Sequence, residues 1–137
     1  MAHIPTAGVH HAVFTVSNLD QSLKFYTEVL GFKLLLDLPA FKRKLITNDT
    51  FLMALTLPPD ESQSPPNDRF NENRIGLDHF SFSLPNKAAL ESAVTVLDEH
   101  GVPHGEIYSL GEVGLPFWVV TFRDPDNIQL ELTAPRV

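Results

Sequence analysis

The sequence predicts an α+β fold made of two successive βαβββ modules, mainly because the chain repeats itself. Segment 8–16, Gly-Val-His-His-Ala-Val-Phe-Thr-Val, matches segment 76–84, Gly-Leu-Asp-His-Phe-Ser-Phe-Ser-Leu, at an offset of 68 residues. A second match, with an offset of 77 residues, joins segments 53–58 and 130–135. In each half a helical pattern follows the first strand-like run, and three further strand-like runs follow the helix. The halves are therefore two copies of one βαβββ unit.

The first module begins with a run of β-branched and aromatic residues at 9–16, which is typical of a buried strand. Ser17 and Asp20 resemble a capping box for the helix that follows, and Gly31 supplies the usual stop. The remaining strands of this module are predicted at 32–38, 41–47 and 51–57.

The second module repeats this order. After the predicted strand 76–84, Pro85-Asn86 opens a helix that Gly101 ends. Strands are predicted at 104–108, 117–122 and 128–133. The last two are joined by Asp-Pro-Asp-Asn at 124–127, a type I turn signature with proline in second place.

One domain spanning residues 1–137 is expected, with module 1 at about 8–58, a linker at about 59–75 and module 2 at about 76–135. The stretch 58–74 is poor in apolar residues and holds four prolines, so no regular structure is predicted there. A long loop in a small domain is often functional, and this one serves either as a tether or as a lid. Its bulky apolar residue, Phe70, is the candidate for docking over a pocket.

Composition narrows the class of function. The net charge of −7 argues against nucleic-acid binding, and no apolar run is long enough to span a bilayer. With no cysteine, a metal site must use His, Asp, Glu or backbone oxygen. Because the N-terminus also lacks a secretory pattern, we expect a cytoplasmic protein that acts on a small molecule without a membrane partner.

Three polar residues occupy matching, inward-facing places in the two modules. His11 and His79 lie on the first strands, and Glu131 lies on a last strand, where the first module has Ala54. Two imidazoles and one carboxylate suit a divalent Fe, Mn, Zn, Ni or Co ion. Such a three-ligand set would leave coordination positions open for water or substrate.

Each residue also has an ordinary structural interpretation. A lone strand histidine is more often half-buried and hydrogen-bonded than a metal ligand. A glutamate between Leu130 and Leu132 is commonly the solvent-facing residue of an alternating strand. The internal repeat favours the metal site, because it places all three residues independently at corresponding positions.

The sequence resembles the vicinal oxygen chelate superfamily, which includes glyoxalase I, fosfomycin-resistance proteins, extradiol dioxygenases and bleomycin-resistance proteins. Five segments carry the resemblance. They are His-Ala-Val-Phe-Thr-Val-Ser-Asn-Leu-Asp at 11–20, Ser-Leu-Lys-Phe-Tyr at 22–26, Val-Leu-Gly-Phe at 29–32, Asp-His at 78–79 and Phe-Arg-Asp-Pro-Asp-Asn-Ile-Gln-Leu-Glu-Leu at 122–132. The resemblance implies a curved mixed sheet that encloses a metal. It also implies that His11, His79 and Glu131 hold this metal, with Glu131 as the catalytic residue.

Departures from the family pattern leave the reaction open. Many glyoxalase I proteins have a fourth ligand where this chain has Ala54, and the thiol transferases have a Ser-x-Tyr strand where this chain has Pro-Phe-Trp at 116–118. Typical extradiol dioxygenases have two such module pairs. The resemblance therefore implies a dioxygenase, a lyase or a thiol transferase; the alternative is a metal-free protein that binds a small molecule or antibiotic.

A mixed pocket for the small-molecule substrate is predicted from strand alternation and from aromatic residues that would line its mouth. Its residues are Val13, Leu52, Thr56, Phe70, Ser81, Ser83, Tyr108, Trp118 and Gln129. Core packing is the competing interpretation for Trp118. The resemblance further implies a homodimer, in which the metal ligands come from one chain or from two.

Overall fold

The computed structural model describes residues 1–136 and divides the chain into two compact units, Met1–Ser64 and Pro65–Val137. Each unit contains one four-stranded mixed sheet and one α-helix, so the predicted α+β fold of two βαβββ modules is confirmed. Among residues 1–136, neither α-helix is long and apolar enough to cross a membrane.

The strands and the α-helix of the first unit are β1 (His11–Thr15), α1 (Leu19–Glu28), β2 (Lys33–Leu38), β3 (Arg43–Thr47) and β4 (Leu52–Thr56). Its strands are ordered β1-β4-β3-β2. β1 runs parallel to β4, and the other neighbours are antiparallel. The crossover through α1 explains the one parallel pair, because parallel strands cannot be joined by a tight hairpin.

Helix α1 begins one residue later than the predicted capping box requires. Its N-cap is Asn18, whose side-chain oxygen accepts a hydrogen bond from the Gln21 backbone N–H at 2.9 Å. The expected cap at Ser17 is therefore wrong, although asparagine serves the same purpose of satisfying a free helix N–H. Gly31 follows the helix with φ +73°, the left-handed conformation that glycine adopts without strain.

Tyr26 forms the centre of the first unit's core. Its ring is fully buried and makes edge-to-face contacts with Phe14, Phe25 and Phe32 at centroid distances of 5.2 to 6.2 Å. Such pairs add about 0.5–1.5 kcal/mol each beyond the area that they bury. This cluster fixes α1 on one face of the sheet and leaves the opposite face, which carries His11, for other uses.

The second unit repeats the arrangement with β5 (Phe80–Ser83), α2 (Lys87–Glu99), β6 (Tyr108–Ser109), β7 (Phe117–Arg123) and β8 (Gln129–Pro135). The strand order is β5-β8-β7-β6, and β5 runs parallel to β8.

The strand registers confirm the internal alignment. In the first unit Val13 pairs with Ala54, and in the second unit Ser81 pairs with Glu131. Val13 corresponds to Ser81 at the offset of 68, and Ala54 corresponds to Glu131 at the offset of 77. The two repeated segments of each module, which were aligned separately in the sequence, therefore pair with each other in both sheets.

Two predicted strands, in the second unit, differ most from the structure. The strand predicted at 76–84 begins only at Phe80, so His79 lies just before β5. The strand predicted at 104–108 is wrong: His104 makes an isolated bridge with Phe122, and β6 covers only Tyr108–Ser109. The His104 ring lies between the Asp98 carboxylate at the end of α2 and the Gly105 carbonyl, which it contacts through Nδ1, so a side chain occupies a backbone acceptor here.

Candidate metal centre

His79 and Glu131 lie together in the second unit. The distance from His79 Nε2 to Glu131 Oε1 is 3.7 Å. Two atoms that each lie about 2.1 Å from one metal ion are roughly 3–3.6 Å apart at ligand angles of about 90–120°. The pair is therefore within about a tenth of an ångström of a metal-binding separation, and its imidazole and carboxylate suit the divalent ions expected from the sequence.

Strand pairing explains the position of Glu131. Its neighbours in β8, Leu130 and Leu132, are buried on the face that α2 covers, so alternation turns Glu131 to the opposite face. The Glu131 side chain is only 13% exposed, against 41% for His79. Glu131 is therefore not the ordinary solvent-facing residue of the alternative interpretation.

Two hydroxyl groups continue from Glu131 along the same face. Thr133 Oγ1 donates to Glu131 Oε1 at 3.0 Å, and Ser81 Oγ lies 2.6 Å from Thr133 Oγ1. Because the single hydroxyl proton of Thr133 goes to the carboxylate, Ser81 must donate to Thr133. Ser81 Oγ can then still accept a hydrogen bond from another group.

His79 is held from its other ring nitrogen. Asp78 Oδ1 lies 2.7 Å from His79 Nδ1. The side-chain amide of Gln129 donates to Asp78 twice, to Oδ1 and to the backbone oxygen, both at 3.1 Å. Gln129, predicted as a pocket residue, thus supports the residue that holds a candidate metal ligand.

Arg123 connects this group to the segment 65–74. Its guanidinium donates to Gln129 Oε1 at 3.3 Å and to both carboxylate oxygens of Glu72 at 2.8 and 3.0 Å. The Arg123 hydrogen bond is the main reason that the pKa of Glu72 falls to about 2, and the same bond raises the pKa of Arg123. A carboxylate in the predicted linker is thereby tied to β7.

Backbone contacts also hold this segment to the β7–β8 turn. The Phe70 N–H donates to the Asp126 carbonyl at 2.9 Å, and the Asn127 side-chain amide donates to the Phe70 carbonyl at 3.0 Å. The segment lines an open cleft of about 460 Å³ together with Asn127. Phe70, predicted to dock over a pocket, is anchored at this turn.

The first unit carries the third candidate ligand. His11 is the exposed first residue of β1 and pairs with Leu52, while the fourth-ligand position holds the methyl group of Ala54. The His11 Nδ1 atom lies 2.8 Å from Nδ1 of His10. Within residues 1–136, no three His, Asp or Glu side chains are grouped so that they could hold a metal. The three-ligand site remains a prediction.

Most of the predicted pocket residues lie on the sheet faces that carry the candidate ligands. Alternation and strand pairing place Val13, Leu52 and Thr56 on the face of His11, and Ser81, Ser83, Tyr108 and Gln129 on the face of Glu131.

Trp118 requires a correction. It pairs with Ala134, which places it on the α2 face, opposite Glu131. The Lys87 ammonium lies 4.5 Å from the centre of its ring, and the Arg136 guanidinium lies 5.3 Å from it. These contacts fix Trp118 as a structural residue of the α2 face rather than a residue of the predicted pocket.

The comparison with known families decides the class. The model of the Glyoxalase/Bleomycin resistance protein/Dioxygenase superfamily matches residues 8–132. The chain belongs to this superfamily. The match covers both modules and all three candidate ligands, and it confirms the resemblance to vicinal oxygen chelate proteins.

Two curated relatives come from Bacillus subtilis strain 168. The uncharacterized protein YwkD is 29% identical over 129 residues, which cover 90% of this chain and 94% of YwkD. A catechol-2,3-dioxygenase is 29% identical over 130 residues, which cover 93% of this chain and 41% of the dioxygenase. The match thus covers most of the length of YwkD and less than half of the length of the dioxygenase.

Solved structures share the fold. A glyoxylase/bleomycin resistance protein/dioxygenase domain from Frankia sp. EAN1pec is 30% identical with a TM-score of 0.77, covering 96% of this chain and 93% of that domain. A mutant of the fosfomycin resistance protein FosX from Listeria monocytogenes, complexed with Mn(II) and 1S,2S-dihydroxypropylphosphonic acid, has a TM-score of 0.68. It is 16% identical, with coverage of 93% of this chain and 89% of FosX, so this similarity concerns the fold alone.

Proposed function

We propose that this protein is a divalent-metal-dependent enzyme that binds two neighbouring oxygens of a small molecule at His11, His79 and Glu131. The observation that carries the proposal is the 3.7 Å approach of His79 Nε2 to Glu131 Oε1, with the other His79 nitrogen held by a carboxylate. Metal-binding histidines typically donate their second ring N–H to such an acceptor. When bound, the metal supplies Lewis-acid polarisation of the substrate oxygens.

The protein's own groups around this pair have separate tasks. Thr133 orients Glu131 by donating to Oε1, the oxygen that faces His79. Ser81 Oγ, which donates to Thr133, keeps its lone pairs for a substrate hydroxyl. A substrate with a hydroxyl beside its chelating oxygens would therefore be oriented by Ser81.

Catechols are the first substrates to test. A catechol-2,3-dioxygenase is among the relatives, and the FosX neighbour is complexed with Mn(II) and with a molecule that has two adjacent hydroxyls. The proposal includes three kinds of enzyme that act on vicinal oxygens: a dioxygenase, a lyase and a thiol transferase. Catechol oxidation by the iron-loaded protein, assayed anaerobically and then with oxygen, supports the dioxygenase if turnover requires both iron and oxygen.

Titration calorimetry of the metal-free protein tests the site itself. With Mn(II) or Co(II) as the probe, His11→Ala, His79→Ala and Glu131→Ala should each weaken binding strongly, since each removes one of three ligands. Glu106→Ala, which removes an exposed carboxylate from the same unit, is the control and should bind like wild type. Equal affinity in all four variants would contradict the proposal. Stoichiometric binding of a drug that a chelator does not affect would instead favour the metal-free binding protein.

We also propose a cytoplasmic homodimer whose site takes His11 from one module and His79 and Glu131 from the other. Mixing His11→Ala chains with His79→Ala chains tests whether the three ligands of one site come from one chain or from two. Recovery of metal binding after mixing would show that the ligands come from two chains, because only a mixed dimer then contains a complete set. No recovery would assign them to one chain, and a monomeric mass by light scattering would remove the dimer.

A further inference from the structure

Both candidate histidine ligands follow a residue whose side chain occupies their Nδ1 atom. His10 precedes His11, and Asp78 precedes His79 at the corresponding place of the repeat. The contacts are 2.8 Å from His10 Nδ1 to His11 Nδ1, and 2.7 Å from Asp78 Oδ1 to His79 Nδ1. We propose that His10 and Asp78 are positioning residues that keep Nδ1 occupied, so that each ligand presents Nε2 to the metal. This inference rests on the proposed function.

The chemistry of Asp78 determines which nitrogen of His79 is free. An ionised carboxylate only accepts hydrogen bonds, so His79 Nδ1 must carry the proton. In the neutral ring Nε2 then has a bare lone pair, and Nε2 is the atom that faces Glu131 at 3.7 Å. The nitrogen that the hydrogen bond leaves free is therefore the nitrogen that points toward the second candidate ligand.

Gln129 fixes Asp78 in this orientation. Its amide oxygen accepts from Arg123 at 3.3 Å, and its amide nitrogen donates to Asp78 Oδ1 and to the Asp78 backbone oxygen. The opposite amide orientation would turn a donor toward the guanidinium and an acceptor toward two oxygens, so it is excluded. Arg123 is in turn held by Glu72. The orientation of His79 is thus supported by hydrogen bonds that extend into the segment 65–74.

The contact between His10 and His11 does not by itself determine which nitrogen of His11 carries the proton. Two imidazole nitrogens 2.8 Å apart share one proton, so one ring donates and the other accepts. If His11 donates, its Nε2 is free for a metal; if His10 donates, His11 Nε2 carries a proton and is blocked. His10 therefore permits the binding tautomer, whereas Asp78 imposes it. Loss of Asp78 should consequently cost more metal affinity than loss of His10.

The test uses the full-length chain with and without metal. In metal-free protein with 15N-labelled histidine, long-range 1H–15N spectra should show His79 in the Nδ1–H form in wild type, and Asp78→Ala should lose that preference. Mn(II) affinity should fall nearly a hundredfold in Asp78→Ala and about tenfold in His10→Phe, within the usual range for residues that support a ligand.

Two further variants separate positioning from general damage. Asp78→Asn keeps an acceptor oxygen and should restore much of the affinity lost in Asp78→Ala. Asp98→Asn removes the carboxylate partner of His104 and should leave both the His79 spectrum and Mn(II) affinity unchanged.

The two readouts also separate this inference from the proposed function. An Nε2–H form of His79 in metal-free wild type would overturn the inference even if the protein binds metal. An Nδ1–H form that depends on Asp78, in a protein that binds no metal, would uphold Asp78 as the residue that fixes the His79 tautomer but would remove both the proposed enzyme and the metal that Nε2 would bind.

Discussion

Replacing Thr133 by valine should weaken metal binding without removing a ligand. The Thr133 hydroxyl donates to Glu131 Oε1 at 3.0 Å and accepts from Ser81 at 2.6 Å. Valine keeps the branched shape of the side chain and removes only the hydroxyl. A hydrogen bond to a charged group is worth about 1.5–3 kcal/mol. Because Glu131 keeps some contact with water, which weakens the bond, we take the lower end of that range, and this corresponds to roughly a tenfold loss of Mn(II) affinity.

Titration calorimetry on Thr133→Val and a matched control measures this loss. Thr95→Val is the control, because Thr95 lies exposed on α2 and its hydroxyl approaches only its own helix, at the Glu91 carbonyl. The control should bind Mn(II) like wild type. An unchanged affinity in Thr133→Val, with normal folding, would refute the idea that Thr133 orients Glu131.

Three predictions concern stability. His104 has an acceptor at each ring nitrogen, the Gly105 carbonyl at 2.6 Å and the Asp98 carboxylate at 2.7 Å, and these bonds raise its pKa above 6.5. The contribution of His104 to stability is therefore full below the unfolded pKa and is lost as pH rises through the folded pKa. In urea unfolding, His104→Ala should lower the free energy of unfolding by about 0.5–1 kcal/mol more at acidic than at alkaline pH. An equal loss at both pH values would contradict this. Arg123 lowers the pKa of Glu72 from 4.5 to about 2. The stability that this pair contributes is therefore fully present above pH 4.5 and is lost as the pH falls toward 2. Protection of the Phe70 amide from hydrogen exchange should be lost at acidic pH in wild type, and it should show no such pH dependence in Arg123→Met. Identical pH profiles in the two proteins would show that the Arg123–Glu72 pair does not hold the segment 65–74. Leu130→Ala, at a fully buried position, should lower the free energy of unfolding by about 2–5 kcal/mol, whereas Val113→Ala, 72% exposed, should change it by less than about 0.5 kcal/mol.

The sequence predicted the architecture because the repeat, the strand alternation and the helix signals agree. The offsets of 68 and 77 related Val13 to Ser81 and Ala54 to Glu131, and the structure pairs Val13 with Ala54 and Ser81 with Glu131. The weakest prediction was the strand at 104–108. There the His104 side chain binds Asp98 and the Gly105 carbonyl, and a hydrogen bond of this kind leaves no periodic signal in the sequence.

The surroundings of the site were harder to predict than the candidate ligands. Asp78 was visible only as part of a family motif, since its contact with His79 depends on local backbone geometry. Glu72 lies in a stretch without periodicity, so its pairing with Arg123 could not be predicted from spacing. Trp118 was placed at the mouth of the pocket because it is a bulky aromatic residue, with core packing as the competing interpretation. The β7–β8 register, which pairs it with Ala134, decides its face.

The metal content of the protein purified without chelator tests the central claim most directly. We expect wild type to carry about one divalent ion for each set of His11, His79 and Glu131, and Glu131→Ala to lose it, because two histidines alone hold such an ion weakly. Absence of metal from wild type, or an unchanged content in Glu131→Ala, would contradict the metal-dependent function.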